Sequence, residues 1–292
     1  MLTGRRNALL AWLLVLPASL LLVLFTHYPV IGTAWHSFMS TPRGRRPARF
    51  VGLENYQTML ADPIFWKAFY NNLIYAVGTI PLSVALALAM AVFVSNRIPG
   101  RGFLRMAYFT PTVLPMIAVA NIWLFFYTPG YGLLDQFLGL FGLGGTNWLG
   151  SPGTALWCVI VVSIWKEAGF FMIFYLAALQ QMPPDLREAA AIEGSGRWYF
   201  FRRVTLPLLM PTTLFITINA VINAFRLVDH IFILTRGGPD NATSVLLFYI
   251  YEIGFKFWDT GLASAMTIVL LAVLAATAIA HFVFAEKRVH YQ

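Results

Sequence analysis

Six apolar runs, each long enough to cross a bilayer, dominate this sequence: roughly 8–28, 69–93, 105–127, 153–178, 206–234 and 260–284. A helix rising about 1.5 Å per residue needs about 20 such residues to span the hydrocarbon. No water is available there, so each backbone N–H and C=O must be satisfied inside the segment, and runs of this kind have to be helices. The expected fold is all-α: a polytopic membrane protein with six transmembrane helices and, over 1–292, one transmembrane domain. Only 11% of the residues are charged, against about a quarter in a soluble domain, which excludes that class. Arg5 and Arg6 precede the first run and Pro17-Ala18-Ser19 weakly resembles a cleavage site, but the apolar stretch continues to Leu24. That is too long for a signal core, so it reads as a retained first helix.

Six spans place both termini on one side, and the lysine and arginine count decides which. With the N-terminus inside, the cytoplasmic set is Arg5, Arg6, Arg97, Arg101, Arg105, Arg187, Arg197, Arg202, Arg203, Lys287 and Arg288, eleven residues against seven outside. "RGRRPAR" at 43–49 in the first outer loop opposes this assignment. Both termini are expected in the cytoplasm. The net charge of +8 needs no nucleic acid, because basic residues beside membrane ends favour anionic lipid heads. One cysteine, Cys158, permits no intrachain disulfide.

The first outer loop contains Leu53, Tyr56, Met59 and Leu60 at helical spacing, which predicts a short amphipathic helix at the membrane surface. The glycine-rich outer loop "TPGYGLLDQFLGLFGLGGTNWLGSP" reads as a partly buried cap. The most polar window is "REAAAIEGSGRWYFFRRVTLP", 187–207. Asp185, with Glu188 three residues on, predicts a capped helix start. Gly194 predicts its stop after about eight residues. A helix that short is marginal in water, so a partner is expected to hold it. Ala189, Ala190 and Ala191 offer a small-residue surface for close approach. The window reads as a cytoplasmic helix–turn–helix that docks into another protein, the bland alternative being a solvated connector.

"EAAAIEG" followed by Leu206-Pro207 resembles the EAA loop of bacterial ABC importer permeases, matching at Glu188, Ala189, Ala190, Gly194, Leu206 and Pro207. Glu193 and Ser195 depart mildly from that pattern. "FVGLENY", "WKEAGFFMIFYLAALQQMP" and "FRLVDHIFILTRGGPDNAT" resemble the sugar-type branch, the maltose and glycerol-phosphate permeases, over about 8–292. The resemblance implies a type I ABC importer-like permease domain, 185–207 being its coupling loop. It implies a second permease subunit, two copies of an ATP-binding subunit, an extracytoplasmic solute-binding protein, and a place in the bacterial inner membrane. Glu188, Ala189, Ala190, Gly194 and Arg197 are then the residues that couple to the ATPase.

The chain carries no G-x-x-x-x-G-K-[ST] phosphate cradle, so ATP and Mg would belong to the partner and no cofactor to this chain. Its five histidines are scattered, which gives no metal set, and no cluster of acids or nucleophiles suggests a membrane-embedded enzyme. Intramembrane polar residues are functional candidates. On a helical wheel Thr212, Asn219, Asn223, Arg226 and His230 share one face of the fifth span. They can line a path for a hydroxylated solute or bond neighbouring helices. Arg226 is available to an anionic group, or to Asp229 three residues on, the structural pairing expected here. Lys166 and Glu167 can neutralise one another or face the vestibule. Trp165 offers a flat face to a sugar ring, or simply packs. Asn121 is the lone amide of the third span. Thr260, Ser264 and Thr267 with the alanines after them form a packing face.

The function expected is a non-catalytic permease subunit for a sugar, polyol, sugar acid or glycerol phosphate. A stand-alone secondary transporter or channel is the alternative, and it has no need of a capped cytoplasmic docking helix.

Overall fold

The computed structural model describes residues 2–96, 98–142, 144–226 and 228–286. Arg97, Lys287 and Arg288, counted above among the cytoplasmic charges, lie outside them. The elements are all helices, and the only β pairing among the described residues is two isolated bridges. Helix α1 (Leu2–Leu22) opens into a π turn (Val23–His27) just ahead of Pro29 and continues as α2 (Tyr28–His36). There follow α3 (Glu54–Ala61), α4 (Pro63–Ser95), α5 (Arg101–Val113), α6 (Met116–Phe126), α7 (Leu133–Gly139) and α8 (Ala155–Gln180). The polar window holds α9 (Pro184–Ile192), α10 (Arg197–Phe200) and a π turn, leading through α11 (Leu206–Leu208) to α12 (Met210–Arg226). The chain ends with α13 (Asp229–Leu234), α14 (Leu246–Tyr251), a π turn (Glu252–Lys256) and α15 (Thr260–Glu286).

Five segments among the described residues are long and apolar enough to span a membrane: Leu10–His36, Pro63–Ser95, Ala155–Gln180, Met210–Leu234 and Thr260–Ala280. The third expected span is not one helix. Here α5 and α6 meet at a bend of 102°. The cause is local: Leu114 precedes Pro115 and is forced extended (ψ 135°), and Pro115 has no N–H with which to continue α5. The fifth span is likewise interrupted, α12 ending at Arg226 before α13 begins at Asp229. The polar face drawn on a continuous wheel therefore stops at Arg226, and His230 is fully buried rather than on that stripe.

Two compact units divide the chain: Met1–Pro63 with Ile250–Ala272, and Ile64–Tyr249 with Val273–Gln292. In the first, α3 forms where the amphipathic pattern predicted a helix. Only Met59 of the expected face is buried; Leu53 and Leu60 are exposed. Asn55 donates to the carbonyls of Ser37 and Met39 at 2.8 and 2.9 Å, and Tyr56 Oη donates to Ser37 Oγ at 2.8 Å. These polar bonds, not an apolar stripe, hold α3.

In the second unit Ala87, Ala91 and Val94 of α4 lie against Phe171, Met172 and Tyr175 of α8 and Leu209, Ile216 and Ala220 near α12. Small side chains let helix backbones approach where hydrocarbon offers no hydrophobic drive. Gly169 shows how close: a Cβ there would sit 2.1 Å from the Tyr108 carbonyl oxygen of α5. Asn71 donates to the Asn241 and Ser244 carbonyls at 2.8 and 2.9 Å. Asn72 donates to the Ala224 carbonyl at 3.2 Å and accepts from Leu246 N at 3.3 Å. The amide pair inside an apolar run thus satisfies backbone groups where α12 has ended and α14 begins.

The glycine-rich 128–152 loop folds around one carboxylate, which the sequence reading passed over. Asp135, buried on α7, accepts from Gly130 N and Gly145 N at 2.8 Å and from Thr146 N at 3.3 Å. The Gly130 amide foremost, then those of Gly145 and Thr146, hold its carboxyl below the usual carboxylate range. A depressed carboxyl contributes stability that is present above its unfolded value and lost as pH falls through its folded value. Asp135→Asn is expected to loosen 128–152 and speed its cleavage in limited proteolysis at neutral pH, and the wild-type loop to show the same sensitivity only under acid conditions.

Candidate functional site

Two features gather the residues singled out by sequence. The first is the α9–α10 window. Helix α9 starts at Pro184 with no side-chain cap bond, so the cap expected from Asp185 does not form. Pro184 itself sets the start: its fixed φ suits the first helical position and its missing N–H would have been unsatisfied there anyway. Asp185 still lies in the first turn, where a negative charge suits the helix dipole. The stop is as expected. Gly194 takes φ +68°, Ser195 N bonds the Ala190 carbonyl at 2.9 Å and Gly194 N bonds the Ala191 carbonyl at 3.1 Å. These are the paired bonds of a Schellman motif.

Glu188, Ala189, Gly194 and Arg197 are exposed and Ala190 is half-buried. Exposed apolar side chains flank them: Ile192 at 88%, Trp198 at 71% and Tyr199 at 62%. The contact expected from sequence comprised the alanines, Glu188, Gly194 and Arg197, without Ile192, Trp198 or Tyr199. An exposed apolar tip on an otherwise polar segment outside the hydrophobic runs is the mark of a protein interface.

The second feature is a cavity of about 140 Å³ at the bend between α5 and α6, lined by Thr112 and Met116, by Ser163, Lys166, Glu167 and Phe170 of α8, and by Asn223 of α12. Lys166 and Glu167 do not neutralise one another, because adjacent residues on a helix point about 100° apart. The Lys166 ammonium donates to the carbonyls of Leu114 at 2.5 Å, Pro111 at 3.1 Å and Thr112 at 3.5 Å. These acceptors are the carbonyls that the proline break leaves without helical partners, so the charge is spent on holding the break. Glu167 is buried beside Asn223, and its Oε1 has no hydrogen-bond partner.

Behind the cavity the polar chain continues inward. Tyr75 Oη donates to Ser163 Oγ at 2.7 Å, and Ser163 Oγ stands 3.4 Å from His230 Nε2. The His230 ring lies 5.9 Å from that of Tyr75. Ser163 and Tyr75 were not on the sequence-derived path, and Glu167 was named there only as a partner of Lys166 or a vestibule residue. Ser163 in an apolar run and Glu167 beside Lys166 were signals available to find them; Tyr75 gave none.

The other candidates stand apart. Asn219 donates to the Phe215 carbonyl at 2.8 Å and Asn121 to the Ile117 carbonyl at 2.9 Å, each within its own helix. Trp165 packs edge-on to Trp123 at 5.7 Å. Arg226 and Asp229 are both exposed, and the ion pairs among the described residues, Arg43–Asp259 and Lys256–Glu252, do not join them. The helix break between them removes the three-residue spacing on which the expected pairing rested. No group of acids, histidines and cysteine among the described residues could hold a metal ion.

The described residues thus form a helical membrane bundle with a broken span, a polar cavity at the break and a short, exposed polar helix. The chain belongs to the family described as the binding-protein-dependent transport system inner membrane component, whose model matches residues 56–290. It is 35% identical over 266 residues to the trehalose/maltose transport system permease protein MalF of Thermococcus litoralis, covering 90% of this chain and 89% of that one. It is 34% identical over 267 residues to the sulfoquinovosyl glycerol transport system permease protein SmoG of Agrobacterium fabrum, covering 91% and 87%. It is 31% identical over 288 residues to the sn-glycerol-3-phosphate transport system permease protein UgpA of Pectobacterium atrosepticum, covering 98% and 97%. Its fold matches a chain of a bacterial ABC transporter involved in the import of the acidic polysaccharide alginate, with a TM-score of 0.84, 24% identity and 98% of each chain covered. Membership of this family sets aside the stand-alone carrier or channel.

Lys166→Met removes the donor to the Pro111, Thr112 and Leu114 carbonyls without removing bulk. Leaving such acceptors unpaired costs about 1–3 kcal/mol. Stability toward unfolding in detergent is expected to fall by that amount and the melting temperature to drop with it, with Lys166→Arg recovering part of the loss.

Proposed function

We propose that this chain is one half of a heterodimeric pore that imports a carbohydrate-like solute by alternating access, driven by ATP and Mg bound in two copies of a partner ATPase. A second permease subunit completes the pore and an extracytoplasmic binding protein delivers the solute. Both termini lie in the cytoplasm of a bacterial cell, so α9 and α10 face the ATPase. The observation that carries the reading is the α9 window: a short helix with a defined stop, exposed apolar residues at its tip, and no fully buried residue of its own. Docking supplies the missing stabilisation. Glu188, Ala189, Ala190, Gly194 and Arg197 form the contact, and Ile192 and Trp198 extend it. Closure of the ATPase pushes the window, which is continuous through the π turn with α12, and α12 carries Asn223 into or out of the cavity.

The cavity is the part of the solute path contributed by this chain. Asn223 and the free oxygen of Glu167 offer one amide and one carboxyl acceptor to solute hydroxyls, while Lys166 holds the cavity open at the helix break. Asn219 and Arg226 lie on the exposed side of α12, and Asn121 and Trp165 on α6 and α8, where the second permease would bring them to the pore. The alternative for these four is helix packing against that subunit.

Purification of the tagged chain from its native membrane in mild detergent is expected to recover an ATP-binding subunit and a second permease, and Glu188→Lys to lose the first while keeping the second. Recovery of the chain alone would overturn the reading. In vesicles containing the whole assembly, Asn223→Ala is expected to lower solute uptake about tenfold, the scale of one hydrogen bond to a charged or amide group, with ATP hydrolysis retained.

A further inference from the structure

The "RGRRPAR" loop opposes the charge rule for membrane orientation, and the function above makes no use of it. In the structure it is a built hairpin within the first unit. Ser40 N bonds the Arg49 carbonyl at 2.8 Å, Arg43 and Arg46 exchange backbone bonds at 3.2 and 3.0 Å, and Val51 N bonds the Phe38 carbonyl at 2.9 Å. Its base is pinned to the start of α15. Thr41 Oγ1 donates to Asp259 Oδ1 at 2.5 Å and accepts from Gly261 N at 2.9 Å, and Asp259 Oδ1 also accepts from Leu262 N at 3.1 Å. The hairpin therefore fixes the backbone that carries its four arginines, Arg43, Arg45, Arg46 and Arg49, and all four are exposed. Among the described residues only Arg43 of the four forms an ion pair, with Asp259 at 3.7 Å, and its side chain is still 79% exposed.

The surroundings decide what such a group meets. The hairpin follows directly on the end of the first apolar span, Leu10–His36. Trp35 near that end is 60% exposed, Phe50 in the hairpin 67%, and Phe257 and Trp258, next to the Asp259 anchor, 62% and 73%. Trp258 is held at φ +58°, a backbone conformation that costs energy for a residue with a side chain and persists where the surroundings impose it. Exposed tryptophan and phenylalanine beside arginine at the end of a span are the composition of the membrane–water interface: rings settle at headgroup depth and guanidinium forks bind phosphate oxygens in pairs. An acidic protein face would match the charge but not the exposed aromatics that Trp35, Phe50, Phe257 and Trp258 supply.

We propose that the 43–49 hairpin is a binding site for the headgroup of an anionic phospholipid, its phosphate held by Arg45, Arg46 and Arg49 and its glycerol and upper acyl region flanked by Phe50 and Trp258. The arginines that weaken the orientation count are then a lipid anchor at the outer leaflet, not a misplaced inner loop. The site does not depend on the solute or on the ATPase.

The test is native mass spectrometry of the full chain, purified with bound lipid and titrated with phosphatidylglycerol or phosphatidylcholine. Wild type is expected to prefer phosphatidylglycerol. The combined variant Arg45→Gln, Arg46→Gln, Arg49→Gln is expected to lose that preference by at least the roughly fivefold that one arginine beside an anionic surface is worth, and the lysine triple to keep most of it. Unchanged melting temperature of the glutamine triple shows that the hairpin, built from backbone bonds, still folds. Equal phosphatidylglycerol preference in wild type and the glutamine triple would overturn the proposal. So would loss in that triple of binding to the solute-binding protein with lipid preference intact, which would make the hairpin a protein-docking face.

Discussion

The Lys166 ammonium, set against the carbonyls of Pro111, Thr112 and Leu114, is the contact on which the second unit depends. A proline-broken helix in hydrocarbon strands backbone acceptors, each expensive to leave unpaired. A lysine in the same medium is expensive unless its protons are taken up. Each cost is offset by the other, and the geometry that results is what opens space: α6 swings away from α5 by 102°, and the cavity lies in the angle. Ser163, Glu167 and Asn223 line it from α8 and α12.

The two ends of the chain's polar chemistry are connected by one continuous stretch. From Arg197 to Arg226 the backbone runs through α10, a π turn, the short α11 and α12, with only Leu209 outside a helical element, whereas α9 joins this stretch across the Gly194 stop. Packing along that stretch is tight. Leu209, Ile216 and Ala220 are buried with Phe171 and Tyr175, and Tyr175 Oη donates to Thr213 Oγ1 at 2.9 Å. A well-packed rod is suited to transmitting a push, since cores of this density shift between discrete arrangements rather than deform.

Several features of this fold were legible in the residues because they rest on local rules. Bilayer thickness makes a run such as 153–178 a helix whatever surrounds it, and the structure has Ala155–Gln180 there. Gly194 ends α9 because a left-handed residue must, and glycine takes that conformation without penalty. The six-span count came from the same reasoning, but Leu114-Pro115 was an available stop signal within 105–127 that hydropathy alone overrode. The cap expected at Asp185 failed because Pro184 began the helix two residues earlier than the pattern allowed.

What the sequence by itself determined is the class of structure: a helical membrane bundle, the position of its exposed polar window and the glycine that closes it. Each follows from solvent and from backbone sterics acting over a few residues. The tertiary structure alone decided which polar side chains act together. Lys166 and Glu167 are neighbours in the chain yet part company, one to the α5 carbonyls and the other to Asn223. Asp135 closes over Gly130 and Gly145, Tyr75 meets Ser163, and Thr41 meets Asp259. A wheel drawn on one helix gives the direction of a side chain but not what another helix places in front of it, and in a medium without water that opposing group fixes whether a charge is a ligand site or a clasp.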